Sequence, residues 1–177
     1  MDRDYKGVNI FLTGFMGAGK SSVGKILAQN IKFRLVDTDE WIESTLGKSI
    51  SSIFSEEGEA AFRSYETNAL NSLPTGDLIV TTGGGIVVNE HNRKIMRDKG
   101  IIIYLHCDIE EVLKRTRGDT TRPLLQNKTK EQVNELFKQR KSYYEDAHYQ
   151  IDTTNLTINE IVEQIILIVN EHKSKCQ

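Results

Sequence analysis

Five short runs of apolar, β-branched and aromatic residues punctuate the chain: GVNIFLTG at 7–14, KFRLVD at 32–37, DLIVTT at 77–82, GIIIYLHC at 100–107 and the weaker YQID at 149–152. Their length and their bounding turn residues predict strands. Between them apolar residues recur at helical spacing, beginning with Val23, Ile26 and Leu27 on one face of residues 20–30. The same spacing predicts helices over 41–46, 50–54, 59–73, 90–99, 109–117, 130–147 and 158–172. Asn89, Asp108 and Thr157 stand where helix N-caps belong. Apolar strands alternating with helices imply an α/β fold, with a parallel sheet covered on both faces.

At 177 residues the chain suffices for one domain with a single substantial core. Its only long turn-forming, polar stretch is RGDTTRPLLQNKTK at 117–130, and a loop of that length in a compact domain reads as a mobile lid or another functional segment. A formal charge of −2 gives no global pull toward nucleic acid or anionic lipid. No apolar run approaches the ~18 residues of a membrane span, and MDRDYKGVNI lacks the apolar core of a secretion signal. The two cysteines, Cys107 and Cys176, form no CxxC pair, and a reducing cytoplasm is the expected setting. Cys107 follows an apolar run and reads as a small buried residue. The exposed polar helices are compatible with a monomer.

The most restrictive stretch is GFMGAGKSS, residues 14–22, which satisfies G-x-x-x-x-G-K-[ST]. Here the backbone N–H groups of Gly14, Gly17, Ala18, Gly19, Ser21 and Ser22 can wrap phosphates at a helix N-terminus. Lys20 reaches the β- and γ-phosphates, and Ser21 supplies a magnesium-binding hydroxyl. A glycine turn that merely leads into a helix is the simpler reading. A match by chance arises in roughly one chain in a hundred of this size, and the strand–loop–helix setting lowers that further.

Four later segments bear on what receives the phosphoryl group. DTD at 37–39 follows a strand, so its carboxylates fall on the sheet edge that carries the phosphate loop. One of them can approach a metal and the other an acceptor hydroxyl, although Asp39 could simply cap a helix starting at Trp41. Glu59, Arg63 and Glu66 share a helical face and read alone as a surface charge cluster. Beside Asp39, Arg63 could instead clamp a carboxylate, steadied by Glu66. Gly83, Gly84 and Gly85 follow a strand and suit backbone pressed against a small ligand. No acidic residue ends that strand, which passes the magnesium-positioning role to Asp37. Arg115, Arg117 and Arg122 surround the expected lid, where an arginine could neutralise charge on a transferring phosphoryl group.

Taken in order, GFMGAGKS, DTDEWIE, FSEEGEAAFRSYE, TGGG, RPLL and RKSYYEDA resemble the shikimate kinases from residue 10 to about 153. The resemblance implies a three-layer P-loop kinase fold with a five-stranded parallel sheet flanked by helices, with substrate-binding helices at about 38–73. It implies ATP- and Mg²⁺-dependent phosphorylation of the 3-hydroxyl of shikimate, in the route to aromatic amino acids. On matching positions, Ser21 and Asp37 would serve the magnesium and Asp39 would be the base. Arg63, Arg140 and the Gly83–Gly85 backbone would hold shikimate. Arg122 would be the lid arginine, and Arg115 would cover adenine, with 152–159 as the far wall. The family commonly has a proline and one tyrosine where RKSYYEDA has Ser142, Tyr143 and Tyr144. Gluconate kinase is the nearest rival. Against it stand the paired aspartates, the GExxFR segment and the triple glycine. A nucleotide-binding regulator without catalysis is the rival from another class.

Overall fold

A computed structural model describes residues 7–116 and 129–175. The proposed lid therefore lies outside the described residues apart from Thr129 and Lys130, and Arg117 and Arg122 fall with it. Five parallel strands, β1 Asn9–Thr13, β2 Arg34–Asp37, β3 Leu78–Thr81, β4 Gly100–His106 and β5 Tyr149–Asp152, form one sheet in the order β2-β3-β1-β4-β5. Eight helices accompany it among the described residues: α1 Lys20–Ile31, α2 Thr38–Leu46, α3 Ile50–Glu56, α4 Gly58–Ser72, α5 Glu90–Lys99, α6 Ile109–Arg115, α7 Lys130–Glu145 and α8 Ile158–Lys175.

The central strand is buried along its whole length, which is why it reads as continuous apolar sequence rather than an alternating one. Ile10 stands opposite both Ile79 and Ile101, so β-branched side chains stack across the three inner strands. Asn9, also buried, spends its amide on Pro74 O at 2.9 Å and on the N–H of Gly76 at 2.8 Å. Because all pairs are parallel, every strand delivers its carboxyl end to one edge. The order reverses between β1 and β3, and the crevice that opens there lies between the loop after β1 and the glycines after β3.

Ile42, Ile53, Phe62 and Ala69 form a second buried cluster between α2, α3 and α4, apart from the main core. It gives the helices over 38–72 packing of their own. Two of the three predicted caps form: Asn89 accepts from the N–H of His91, and Thr157 and Glu160 bond reciprocally, whereas Asp108 holds the N-cap position of α6 without a side-chain capping bond. Residues 94–99 do more than face solvent. Lys99 Nζ donates to the carbonyls of Leu70, Asn71 and Leu73 at 2.7–2.9 Å and so caps α4. Arg97 pairs with Asp146 at 2.6 Å. Cys107 is buried, as expected. No helix among the described residues is long and apolar enough to cross a membrane.

Where β5 joins β4, Ile102 N–H donates to His148 Nδ1 at 2.9 Å, which requires that nitrogen to be unprotonated. Burial, with Arg97 and His172 adding to it, holds the His148 pKa below its ordinary 6.5. The unfolded chain therefore binds this proton first. The stabilisation is complete above pH 6.5 and is lost as pH falls from there through the lower value of the folded state. His148→Asn, which offers a non-titrating acceptor, should lose less stability than the parent between neutral and mildly acid pH in urea unfolding. An identical loss in both would contradict this role.

Candidate active site

The loop 14–19 turns β1 into α1. Gly19 has φ 90°, a left-handed conformation costly for any residue with a β-carbon, and it stands directly before the helix. The first amides of α1 consequently open onto the crevice. Lys20 is buried, and its Nζ donates to the carbonyls of Gly14 at 2.8 Å and Phe15 at 3.0 Å. The ammonium is thus held beneath the loop. A cavity of about 420 Å³ fronts it, bounded also by Ser21, Ser22, Asp37, Gly17 and Arg115.

Asp37 rather than Asp39 caps the following helix. Its Oδ1 accepts from the N–H groups of Asp39 at 3.0 Å and Glu40 at 3.3 Å, so α2 begins at Thr38 with no intervening loop. The reading of Asp39 as an N-cap is corrected accordingly. Asp37 Oδ2 accepts from Thr81 Oγ1 at 2.7 Å and lies 3.4 Å from Ser21 Oγ. A hydroxyl and a carboxylate oxygen this close are hard donors of the kind Mg²⁺ takes, with water and phosphate oxygens completing its shell. Among the described residues no cluster of three or more acidic, histidine or cysteine side chains could cage a metal.

Across Asp39 lies a second cavity, bounded by Met16, Phe54, Phe62, Arg63, Glu66, Gly83–Gly85 and Arg140. The face predicted on α4 exists, but it is no surface cluster. Glu66 is fully buried, and Arg63 donates to it from Nη1 at 2.8 Å and to Glu59 from Nη2 at 2.7 Å. Burial works against the guanidinium charge, yet Glu66 and Glu59 more than offset it and hold the Arg63 pKa above its ordinary value. Burial pushes Glu66 up to about 7, against the pull of Arg63.

Gly83–Gly85 are fastened from several sides. Thr38 Oγ1 accepts from Gly83 N–H at 3.0 Å. Arg140 Nη1 donates to Gly84 O at 3.2 Å, and the Tyr144 hydroxyl donates to the same oxygen. Arg93 holds the 3-10 turn that follows through Val87 O at 2.6 Å. Arg140 is buried on α7 and joins Arg63 at the same cavity. Ser142 sits inside an unbroken α7, so the missing proline leaves the helix intact. The paired tyrosines divide the work: Tyr144 is buried and stacks on Tyr104, while Tyr143 is half-exposed under the Arg93 guanidinium. Burial raises the Tyr144 pKa to about 12, so its hydroxyl stays a donor.

The structure thus brings Lys20, Ser21, Asp37, Asp39, Arg63, Gly83–Gly85, Arg115 and Arg140 to one crevice. Arg115 pairs with Glu111 at 3.0 Å at the nucleotide end. Thr38, Thr81, Arg93 and Tyr144 were given no role from sequence. The adjacent Thr81 and Thr82 before three glycines were the one local signal among them.

Known proteins resemble this chain over most of its length. The shikimate kinase family model matches residues 16–170. A shikimate kinase of Bacillus anthracis is 48% identical over 163 residues, 92% of this chain and 99% of its own length. One from Geobacter sulfurreducens is 41% identical over 169 residues, covering 94% of this chain and 93% of its own. The solved shikimate kinase of Acinetobacter baumannii in complex with shikimate superposes with a TM-score of 0.89 at 38% identity, covering 94% of each chain.

Proposed function

The chain belongs to the shikimate kinase family and is a kinase of shikimate with ATP as donor, and we propose that Lys20, Asp39, Arg63 and Arg140 carry the reaction. One observation carries the assignment: Asp39, Gly83 and Gly84 wall both cavities, so a phosphate fronting Lys20 and a ring held by Arg63 meet across a shared partition. That arrangement suits in-line transfer to the 3-hydroxyl, in which positioning and charge stabilisation do most of the work. Arg63 and Arg140 hold the shikimate carboxylate, and Asp39 orients the hydroxyl and accepts its proton late. Mg²⁺ bound by Ser21 and Asp37 would neutralise charge on the phosphates. Arg115 covers the adenine. Arg122, outside the described residues, keeps the charge-neutralising role that the family pattern implies, within a lid over 117–130. A single cytoplasmic domain acting as a monomer completes the proposal.

An assay of ADP release with shikimate and gluconate side by side tests the activity. Turnover with shikimate alone is expected, and equal turnover with gluconate would contradict it. Arg63→Lys keeps a charge beside Glu66 but loses the planar fork. It should raise the KM for shikimate by roughly ten- to a hundredfold, the worth of a bidentate charged contact, and leave that for ATP almost unchanged. Equal losses for both substrates would contradict the role.

A β-carbon on Gly85 would lie 2.7 Å from Arg63 Cζ and nearer still to both terminal nitrogens. Those atoms end a flexible side chain, so Gly85→Ala should fold normally yet displace the guanidinium. A displacement of about 1 Å suffices for an affinity loss on the order of tenfold or more, read as a rise in shikimate KM without a fall in melting temperature. An unchanged KM would remove Gly85 from the acceptor site.

A further inference from the structure

Two carboxylates converge over the Gly83 turn. Asp39 Oδ1 and Glu66 Oε1 lie 2.7 and 3.0 Å from the point that a β-carbon on Gly83 would occupy. Glu66 is fully buried and only half satisfied: Oε2 accepts from Arg63, whereas Oε1 has no hydrogen-bond partner among the described residues. Among the described residues, the ionisable groups facing it are Arg63 and, one turn away, Glu59 on α4, Asp39 on α2, and Arg140 and Tyr144 on α7. Glu59 has a side chain 56% exposed, so solvent screens it. Among the described residues, two acids therefore face two guanidinium groups around Glu66.

Shikimate's carboxylate would add a third acid and no base. Around a carboxylate as buried as Glu66, uncompensated charge is expensive, and the group least committed to its charge is the one that yields. Glu66 is that group. Burial already pushes it to about 7, with Asp39 adding and Arg63 opposing. A proton on Oε1 would supply a donor where none exists now, and would turn the Asp39–Glu66 repulsion into an O–H···O⁻ attraction.

We propose that shikimate enters this pocket together with a proton, taken from solvent onto Glu66 Oε1, and that the neutral acid then positions Asp39. This rests on the reading that Arg63 and Arg140 hold the shikimate carboxylate. Glu66 is a positioning residue here, because it acts on the reaction through Asp39. The sign follows from linkage: a ligand that favours the protonated form binds more weakly as pH rises through the free-enzyme value. The loss is roughly tenfold for each unit by which bound shikimate raises the Glu66 pKa, and it ends above the value in the complex.

Titration calorimetry of the whole chain with shikimate, without nucleotide, in buffers of differing ionisation enthalpy at about pH 7.5, reads the proton directly. The observed heat should vary with buffer enthalpy by a substantial fraction of one proton. Glu66→Gln should abolish that variation and flatten the pH dependence of affinity, and shikimate methyl ester should bind more weakly with no uptake. Shikimate binding with no uptake in the parent protein would overturn the proposal, as would undiminished uptake in Glu66→Gln. Acid and ester binding equally well would overturn the arginine reading and the proposal with it. Should Glu66→Gln fail to fold, carbon-13 NMR of labelled glutamate carboxyls in the parent decides. One buried resonance titrating near neutrality should move to higher pH with shikimate, and a resonance that shikimate leaves unmoved overturns the idea.

Discussion

Lys20→Met is expected to lower kcat by on the order of a thousandfold while leaving shikimate affinity within a few-fold of the parent. A preorganised charge aimed at developing charge is worth about 3–4 kcal/mol when removed, which is two to three decades in rate. Lys20 has that preorganisation, since its Nζ is already drawn under the loop by the carbonyls of Gly14 and Phe15 and needs no reorganisation from solvent. Methionine keeps a straight side chain of similar length in a buried position, so the loop retains its packing while the charge vanishes. Two loop carbonyls lose a donor, which should cost about 1–3 kcal/mol of stability. Melting temperature must therefore be measured beside kcat. The arginines proposed to hold shikimate lie on α4 and α7, not on the loop, which is why acceptor binding should survive. Turnover within tenfold of the parent in a folded variant would remove Lys20 from the chemistry.

Much of the architecture was legible because it rests on local pattern. Strands buried on both faces must be apolar throughout, and β1, β3 and β4 stand out for that reason. The phosphate loop was legible because a tight turn into a helix leaves few residue choices. The acceptor side was legible only in part. Asp37 and Asp39 are two residues apart, and which of them caps α2 depends on whether the helix begins at Thr38 or at Trp41. Only the bonds to the amides of Asp39 and Glu40 decide it. The glycine turn is held by Thr38 and Tyr144, 45 and 60 residues distant in sequence, and no local window reports such partners. Glu66 is the sharpest case. A glutamate flanked by polar residues on a helix of mixed composition reads as exposed, yet α4 turns that position into the pocket, where Arg63 and Arg140 offset the burial of its charge. Ser142 stands where the family pattern commonly has a proline. Position 142 lies inside α7, where a proline would remove a ladder hydrogen bond, so serine there keeps the helix that carries Arg140 regular.

Asp39→Asn carries the second large expectation: a fall in kcat of roughly a hundred- to ten-thousandfold, the usual worth of a positioned general base. Its place on the wall common to both cavities is what singles it out. The amide preserves size and one acceptor oxygen, so a ring hydroxyl could still be oriented but could no longer pass its proton to the protein. Because the transition state of phosphoryl transfer is loose and the proton leaves late, the lower end of that range is the safer expectation. Asp39→Ala, which removes orientation as well, should fall further, and the gap between the two variants separates orientation from proton acceptance. Stability should move the other way. Asp39 raises the pKa of the buried Glu66, so the two carboxylates repel, and neutralising one relieves that repulsion. The loss of a favourable charge in the first turn of α2 offsets only about 0.3–1 kcal/mol of the gain. A variant that melts no lower than the parent yet scarcely turns over would mark Asp39 as a residue kept for chemistry at the expense of the fold. If Asp39→Asn instead retains more than about a tenth of the parent rate, the hydroxyl proton leaves by another route and Asp39 only positions the acceptor.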